Sequence, residues 1–241
     1  MEEKRMPIWE HLEELRRRIL ISAGAVLLFA IITFPLTDDL LEQLKNAFLS
    51  NNPAFPGGID LVVLAPMEAI FVRFKMAVVL GLALALPVIM YEGFKFIAPG
   101  LYPKEKRFIL SISLFWLFLS LFGLAFAIFL VIPLTFKFIL RFALPFATPE
   151  LRLEYFVTFI LYTALGCIAI AQLPLVMGAI SYLGFVTPQQ LKSYRRYAIV
   201  ILAIITAIVT PDPTGITMIF ELIPLLFLYE VGIQVAKIAR R

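Results

Sequence analysis

The sequence has one cysteine, one histidine and two tryptophans in 241 residues, and only 16% of it is charged. Cys167 alone cannot close an internal disulfide, and its place inside an apolar run makes it a small buried hydrophobe. With His11 the single histidine, there is no HExxH pair and no Ser/His arrangement, and no pair of intramembrane aspartates is evident. These absences leave metal-dependent hydrolysis and nucleophilic catalysis without residues, so the chain is expected not to be an enzyme and to need no cofactor. The low charge excludes an ordinary soluble domain, in which about 25% of residues are charged and about 45–50% apolar.

Apolar residues take the vacant share. The hydrophobic fraction is 61%, phenylalanine alone contributes 23 residues, and the mean hydropathy is +0.95. Uncharged runs of about 18 or more residues read as membrane spans. The expected spans are 19–36, 69–91, 108–133, 155–178, 197–210 and 214–229, within a single domain over 1–241. The fold class is therefore an all-α polytopic membrane protein with six transmembrane helices. The last two runs are short and separated only by "PDPTG". Fourteen helical residues rise about 21 Å, against a hydrocarbon core of about 30 Å. The bilayer is expected to thin there.

Between the spans lie segments of distinct character. Residues 1–18 place Trp9, Leu12, Leu15 and Ile19 on one helical stripe, an interfacial helix running into the first span. No small-residue cleavage signature follows that run, so no cleaved leader is expected. After the first span, an amphipathic start, a Pro/Gly break at Pro53, Pro56, Gly57 and Gly58, and a β-like "IDLVVL" make a long exterior segment. Arg73 and Lys75 are placed to snorkel toward head groups. The third span is expected to end at Pro133, with residues 134–153 forming a second exterior segment, and Pro174 interrupts the fourth. Pro188 suits the first turn of a short helix.

The basic residues are unevenly shared. Fifteen Lys and Arg fall in 1–18, 91–107, 179–196 and the C-terminal tail, and six fall on the other side, counting Arg73 and Lys75. By the positive-inside rule both termini are cytoplasmic. This topological use of charge also accounts for the pI near 9.2 without nucleic acid.

Four strings carry a resemblance: "HLEELRRR" at 11–18, "PVIMYEGFKFIAPGLYPKEKR" at 87–107, "FVTPQQLKSYRRYAIV" at 185–200 and "TPDPTGITMIFELIPLLFLYE" at 210–230. In order and placement they resemble the TatC family, the multispanning signal-recognition subunit of the twin-arginine protein translocase. The resemblance implies a glove-like, concave scaffold of six helices in the cell inner membrane, in contact with the lipid bilayer. It implies binding of twin-arginine signal peptides of folded precursors at the cytoplasmic face. It further implies association with single-span TatA/TatB-type partners, self-association in a receptor complex, and export driven by the proton-motive force.

On the residues, two adjacent guanidiniums call for carboxylate acceptors near the membrane entry. Family correspondence selects Glu14 and Glu105, with Arg16 orienting the acids or the loop and Phe94 packing beside the peptide. Against Glu14 stands an ordinary helix-face salt bridge to Arg17 or Arg18, and against Glu105 a solvated acid among Lys104 and Arg107. Within the spans, the resemblance puts a glutamate where this chain has Gln172, and an apolar residue where it has Glu221. Both are candidates for contact with a partner helix: either they line one cavity in which Glu221 takes over the lost carboxylate's role, or Glu221 points to water at the thinned edge and Gln172 alone serves the partner. Asp212 in the "PDPTG" turn matches an acid of the family and also suits a turn cap. The rival function is a secondary transporter or channel, which would need internal repeats or paired broken spans.

Overall fold

A computed structural model describes residues 8–50, 59–97, 103–143, 150–209 and 215–239. Ten α-helices carry almost all of the described chain: α1 Ile8–Thr33, α2 Thr37–Lys45, α3 Glu68–Ile97, α4 Pro103–Phe126, α5 Ile132–Ala143, α6 Leu153–Ala171, α7 Leu173–Tyr182, α8 Pro188–Ser193, α9 Arg195–Val209 and α10 Ile216–Ala239. Five helical stretches are long and apolar enough to cross a membrane: Trp9–Leu49, Glu68–Gly93, Phe115–Phe138, Leu153–Tyr182 and Glu221–Ala239. The chain is an all-α polytopic membrane protein. α9, with 15 residues, rises only about 22 Å and falls short of a full bilayer.

Prolines set where these stretches bend. Pro35 sits in a 3₁₀ turn, Phe34–Leu36, that joins α1 to α2. Pro133 does not end the third stretch at the expected position. A wide π turn over Ala127–Val131 relieves the clash between the proline ring and the carbonyl four residues back, and α5 continues to Ala143. Residues 134–143 are thus helix rather than exterior segment. The last helix also differs from expectation. Instead of stopping near 229, α10 runs on for 24 residues to Ala239, about 36 Å, so only α9 is short. At Pro174 the fourth stretch divides, with Gln172 as the residue between α6 and α7. Pro188 opens α8 behind a capping box: Thr187 Oγ1 accepts from the Gln190 amide, and the Gln190 side chain accepts from the Thr187 amide.

Small residues allow the helices to close on one another. α1 lies along α3, and a Cβ on Gly81 would come within 2.7 Å of the Ala30 nitrogen and the Val26 oxygen. α4 crosses α6 at Gly123, where a Cβ would stand 2.6 Å from the Cys167 carbonyl. In a bilayer such contact between backbones replaces the hydrophobic drive that holds soluble helices together. The larger core cluster sits at the α3–α5–α6 end, around Phe156, Leu49, Met76, Ile132 and Val157.

That end is closed by a short parallel pair of strands, β1 Leu61–Val62 and β2 Leu151–Arg152, with Leu61 opposite Leu151. Beneath it lies Glu68, 4% exposed, whose Oε1 accepts from Arg152 Nε at 3.0 Å and the Glu154 amide at 3.1 Å. Its Oε2 accepts from the Leu64 amide at 3.0 Å. The hydrogen bond from Arg152 to Glu68 raises the pKa of the Arg152 guanidinium above its ordinary value. Arg73 and Lys75 are paired rather than left to snorkel: Arg73 meets Asp38 at 2.7 Å, and Lys75 meets Glu154 at 3.3 Å and Thr158 Oγ1 at 2.8 Å. The exterior segments are therefore pinned to the helix ends by ion pairs.

Gly81→Val should lower the unfolding temperature in detergent by an amount equivalent to about 1–3 kcal/mol, the usual cost of overpacking. Gly24→Ala, on the same helix pair but with open space around its Cβ position, should leave it within about 0.5 kcal/mol.

Candidate functional site

α1 begins at the end of the molecule that also holds the last turns of α3 and the first of α4. His11 stacks on Phe96 with ring centroids 4.2 Å apart, which fixes α1 against α3 and fits a packing role for the lone histidine. One to two turns further along, four charged groups meet. Arg18 Nη2 donates to Glu14 Oε1 at 2.9 Å, and its Nη1 donates to Glu92 Oε2 at 2.8 Å. Lys95 Nζ stands 3.5 Å from the other oxygen of Glu92 and 4.2 Å over the Tyr91 ring. Glu92 is 5% exposed. A carboxylate this deep at the end of an apolar helix keeps its charge only with cations beside it.

The helix-face rival for Glu14 is thus present, with Arg18 as the partner, and it occupies only half of the carboxylate. Glu14 Oε2 is buried and has no hydrogen-bond partner among the described residues, and the same holds for Arg18 Nε. Next to them opens a cavity of about 770 Å³ whose described wall is Glu10, Glu13, Glu14, Arg16, Arg17, Arg18, Leu20 and Ile21. Arg16 is exposed on that wall. Glu105 is the third residue of α4 and Phe94 lies in the last turns of α3; their side chains fall outside what is described. Asp212 lies outside the described residues altogether.

Deeper in the apolar layer, Gln172 and Glu221 are used differently. Gln172 Nε2 donates to Ser120 Oγ at 2.7 Å and to the Trp116 carbonyl at 3.3 Å, so its amide ties the α6–α7 break to α4. Its Oε1 is buried without a partner among the described residues. Glu221, 1% exposed, lines a separate apolar cavity of about 190 Å³ with Phe122, Gly123, Cys167, Ala171, Pro224 and neighbours. Gln172 is not part of that cavity's described wall. No group of three or more His, Cys, Asp or Glu able to hold a metal occurs among the described residues.

Over residues 10–224 the sequence matches the family described as Sec-independent protein translocase protein (TatC). The chain belongs to the TatC family. It is 37% identical to the Aquifex aeolicus TatC over 98% of this chain and 97% of that one. It is 33% identical to the Carboxydothermus hydrogenoformans TatC over 98% and 95%. In three dimensions it superposes on a crystal structure of the twin-arginine translocase receptor TatC with a TM-score of 0.84 and 36% identity, covering 96% of this chain and all of that one. A second crystal structure of that receptor, in the detergent DDM, gives 0.83. The five long helices and the short α9 thus form a TatC-like fold in a multi-pass membrane protein.

The sequence offered Arg17 and Arg18 equally as partners of Glu14, and it gave no role to Glu92. The usable signal was the pair Glu92 and Lys95, three apart where an apolar run ends. An acid there needs a cation from a neighbouring helix.

Replacing Ser120 by Ala, or Gln172 by Leu, should each lower the unfolding temperature by the equivalent of about 0.6–2 kcal/mol, the range for interhelical side-chain bonds in membranes. The double variant should cost clearly less than the two singles together, because one bond is removed twice.

Proposed function

We propose that this TatC-family subunit binds twin-arginine signal peptides at the Glu14 end of the molecule and forms the core of the translocase there. One observation carries the reading: the site already binds a guanidinium. Arg18 is held there by two carboxylates, and Glu14 keeps a buried oxygen turned to no partner. A second guanidinium arriving through the neighbouring cavity meets an acceptor prepared for it. Glu105, at the start of α4, is the proposed acceptor for the other arginine. Arg16 on the cavity wall orients the acids, and Phe94 packs beside the peptide.

The remaining assignments follow from this one. Six spans, α9 being the short fifth, form a glove-like concave scaffold with both termini cytoplasmic, and the Lys/Arg imbalance of the loops supports that orientation. Single-span TatA/TatB-type partners dock in the membrane, where Glu221 in its apolar cavity and Gln172 beside the α6–α7 break offer polar contacts, with Asp212 at the outer turn. Copies of the chain associate in the receptor complex, and the proton-motive force drives transport of the folded precursor. A solute transporter would need internal repeats or paired broken spans related by them; no internal repeat is evident in the sequence.

Glu14→Gln and Glu105→Gln should each weaken binding of a twin-arginine peptide by about 1.5–3 kcal/mol, roughly tenfold to a hundredfold, as expected for one charge-assisted bond. A twin-lysine peptide should lose less, because a compact ammonium forms no fork with a carboxylate. Fluorescence anisotropy on the chain in nanodiscs reads both numbers. Unchanged affinity in the double variant would remove the assignment.

A further inference from the structure

The charged cluster at the end of α1 is incomplete in a way that the cluster around Glu68, also a buried carboxylate, is not. Glu68 has both oxygens filled, by Arg152, the Glu154 amide and the Leu64 amide. At the Glu14 end, one guanidinium is stretched between two acids. Arg18 gives one Nη to Glu14 and the other to Glu92, so it forms a two-point fork with neither. Glu14 Oε2 and Arg18 Nε are left buried without partners among the described residues. Among the described residues, the second oxygen of Glu92 meets Lys95 alone, at 3.5 Å.

We infer that Arg18 is an internal placeholder on Glu14, and that Glu92 is the positioning residue that receives it when a guanidinium ligand takes its place. The inference rests on the reading that Glu14 binds a signal arginine. An arriving arginine can engage both Glu14 oxygens at once, which Arg18 cannot do while it also reaches Glu92. Once Arg18 leaves Glu14, it would be a half-buried cation in need of an anion. Glu92 is already bonded to it through Nη1 and can accept a second N–H on the oxygen now facing Lys95, so the released Nη2 completes a fork. Two single-point contacts are exchanged for two forks, and no charge is left buried alone. A lysine ligand makes no fork on Glu14 and so gains less from displacing Arg18. The placeholder thereby adds to the preference for arginine.

The test measures affinity for a labelled twin-arginine peptide on the full chain in nanodiscs, with a twin-lysine peptide in parallel. Glu92→Gln should weaken twin-arginine binding about tenfold, the size of one charge-assisted bond, because Arg18 then stays on Glu14. Arg18→Gln should tighten it and narrow the gap between arginine and lysine peptides. In the Arg18→Gln background, adding Glu92→Gln should change affinity less than twofold, since no displaced cation remains to be received. Glu92→Asp should recover most of what Glu92→Gln loses.

Equal weakening by Glu92→Gln in both backgrounds would overturn the inference, making Glu92 a ligand contact or a purely structural group. Weakening by Arg18→Gln would overturn it as well. If Glu92→Gln alone does not fold, as read by thermal unfolding in the same nanodiscs, the neutral pair Arg18→Gln/Glu92→Gln carries the test. Binding tighter than in the unmodified chain supports the placeholder, and binding no tighter contradicts it. Glu14→Gln separates the two levels. If it leaves affinity unchanged, the reading of the site fails and the placeholder with it; if it weakens binding while Arg18→Gln also weakens it, only the placeholder fails.

Discussion

Glu92 lies almost fully buried at the end of a 30-residue apolar helix, and Arg18 reaches across from α1 to hold it. Hydrocarbon offers no hydrogen bonds, so every charged group drawn to the edge of the apolar layer must find its partner within the chain. That requirement joins α1 to α3 at one end of the molecule. At the other end it joins α3 to the start of α6, where Glu68 collects Arg152 and two backbone amides. Between these two clasps the helices need only small residues and apolar side chains, and Gly81 and Gly123 supply the close approach. The two clasps differ in completeness. The Glu68 clasp is saturated and serves to hold structure, whereas the Glu14–Arg18–Glu92 clasp keeps an open acceptor, which is what a binding site requires.

The same solvent argument explains the breaks. A proline within an apolar helix frees a carbonyl that lipid cannot satisfy, so each break comes with a local repair. Pro133 is absorbed by a π turn. At Pro174 the Ile170 and Ala169 carbonyls accept from the Gln172 backbone amide, while the Gln172 side chain binds Ser120 and the Trp116 carbonyl of the neighbouring helix. The resemblance to the family expected a carboxylate at 172. A neutral amide can donate to a carbonyl, which a carboxylate cannot, so this chain uses the position to bind α4. Glu221 lies apart from it, in its own cavity with Cys167 and Gly123.

Much of the fold was legible because the apolar runs and the prolines are local signals. The long apolar stretches, the division at Pro174, the proline that opens α8 and the β-like segment that becomes β1 all follow from residues within a few positions of one another. Two features were misread for the same reason. Pro133 stops a helix only if the preceding turn cannot widen, and the sequence does not announce a π turn. The last span was expected to stop at 229, yet α10 continues to Ala239, and Glu230 on it pairs with Arg195 at the start of α9 through both oxygens, at 2.6 and 2.7 Å. In the candidate site, Glu14 and Arg16 were legible through the family's motif. Glu92 and the choice of Arg18 over Arg17 were not, because the partner comes from 74 positions away.

The central claim is that a signal arginine docks on the Glu14 carboxylate between α1 and α3. Its most direct test is photocrosslinking from a twin-arginine peptide that carries a photoreactive side chain next to the arginines, with adducts mapped on the membrane-embedded chain. The account predicts adducts on the first turns of α1, the last turns of α3 and the start of α4, strongly reduced when the arginines are replaced by lysines. Adducts centred on the Glu68–Arg152 end or on the Glu221 cavity, or adducts indifferent to that replacement, would contradict it.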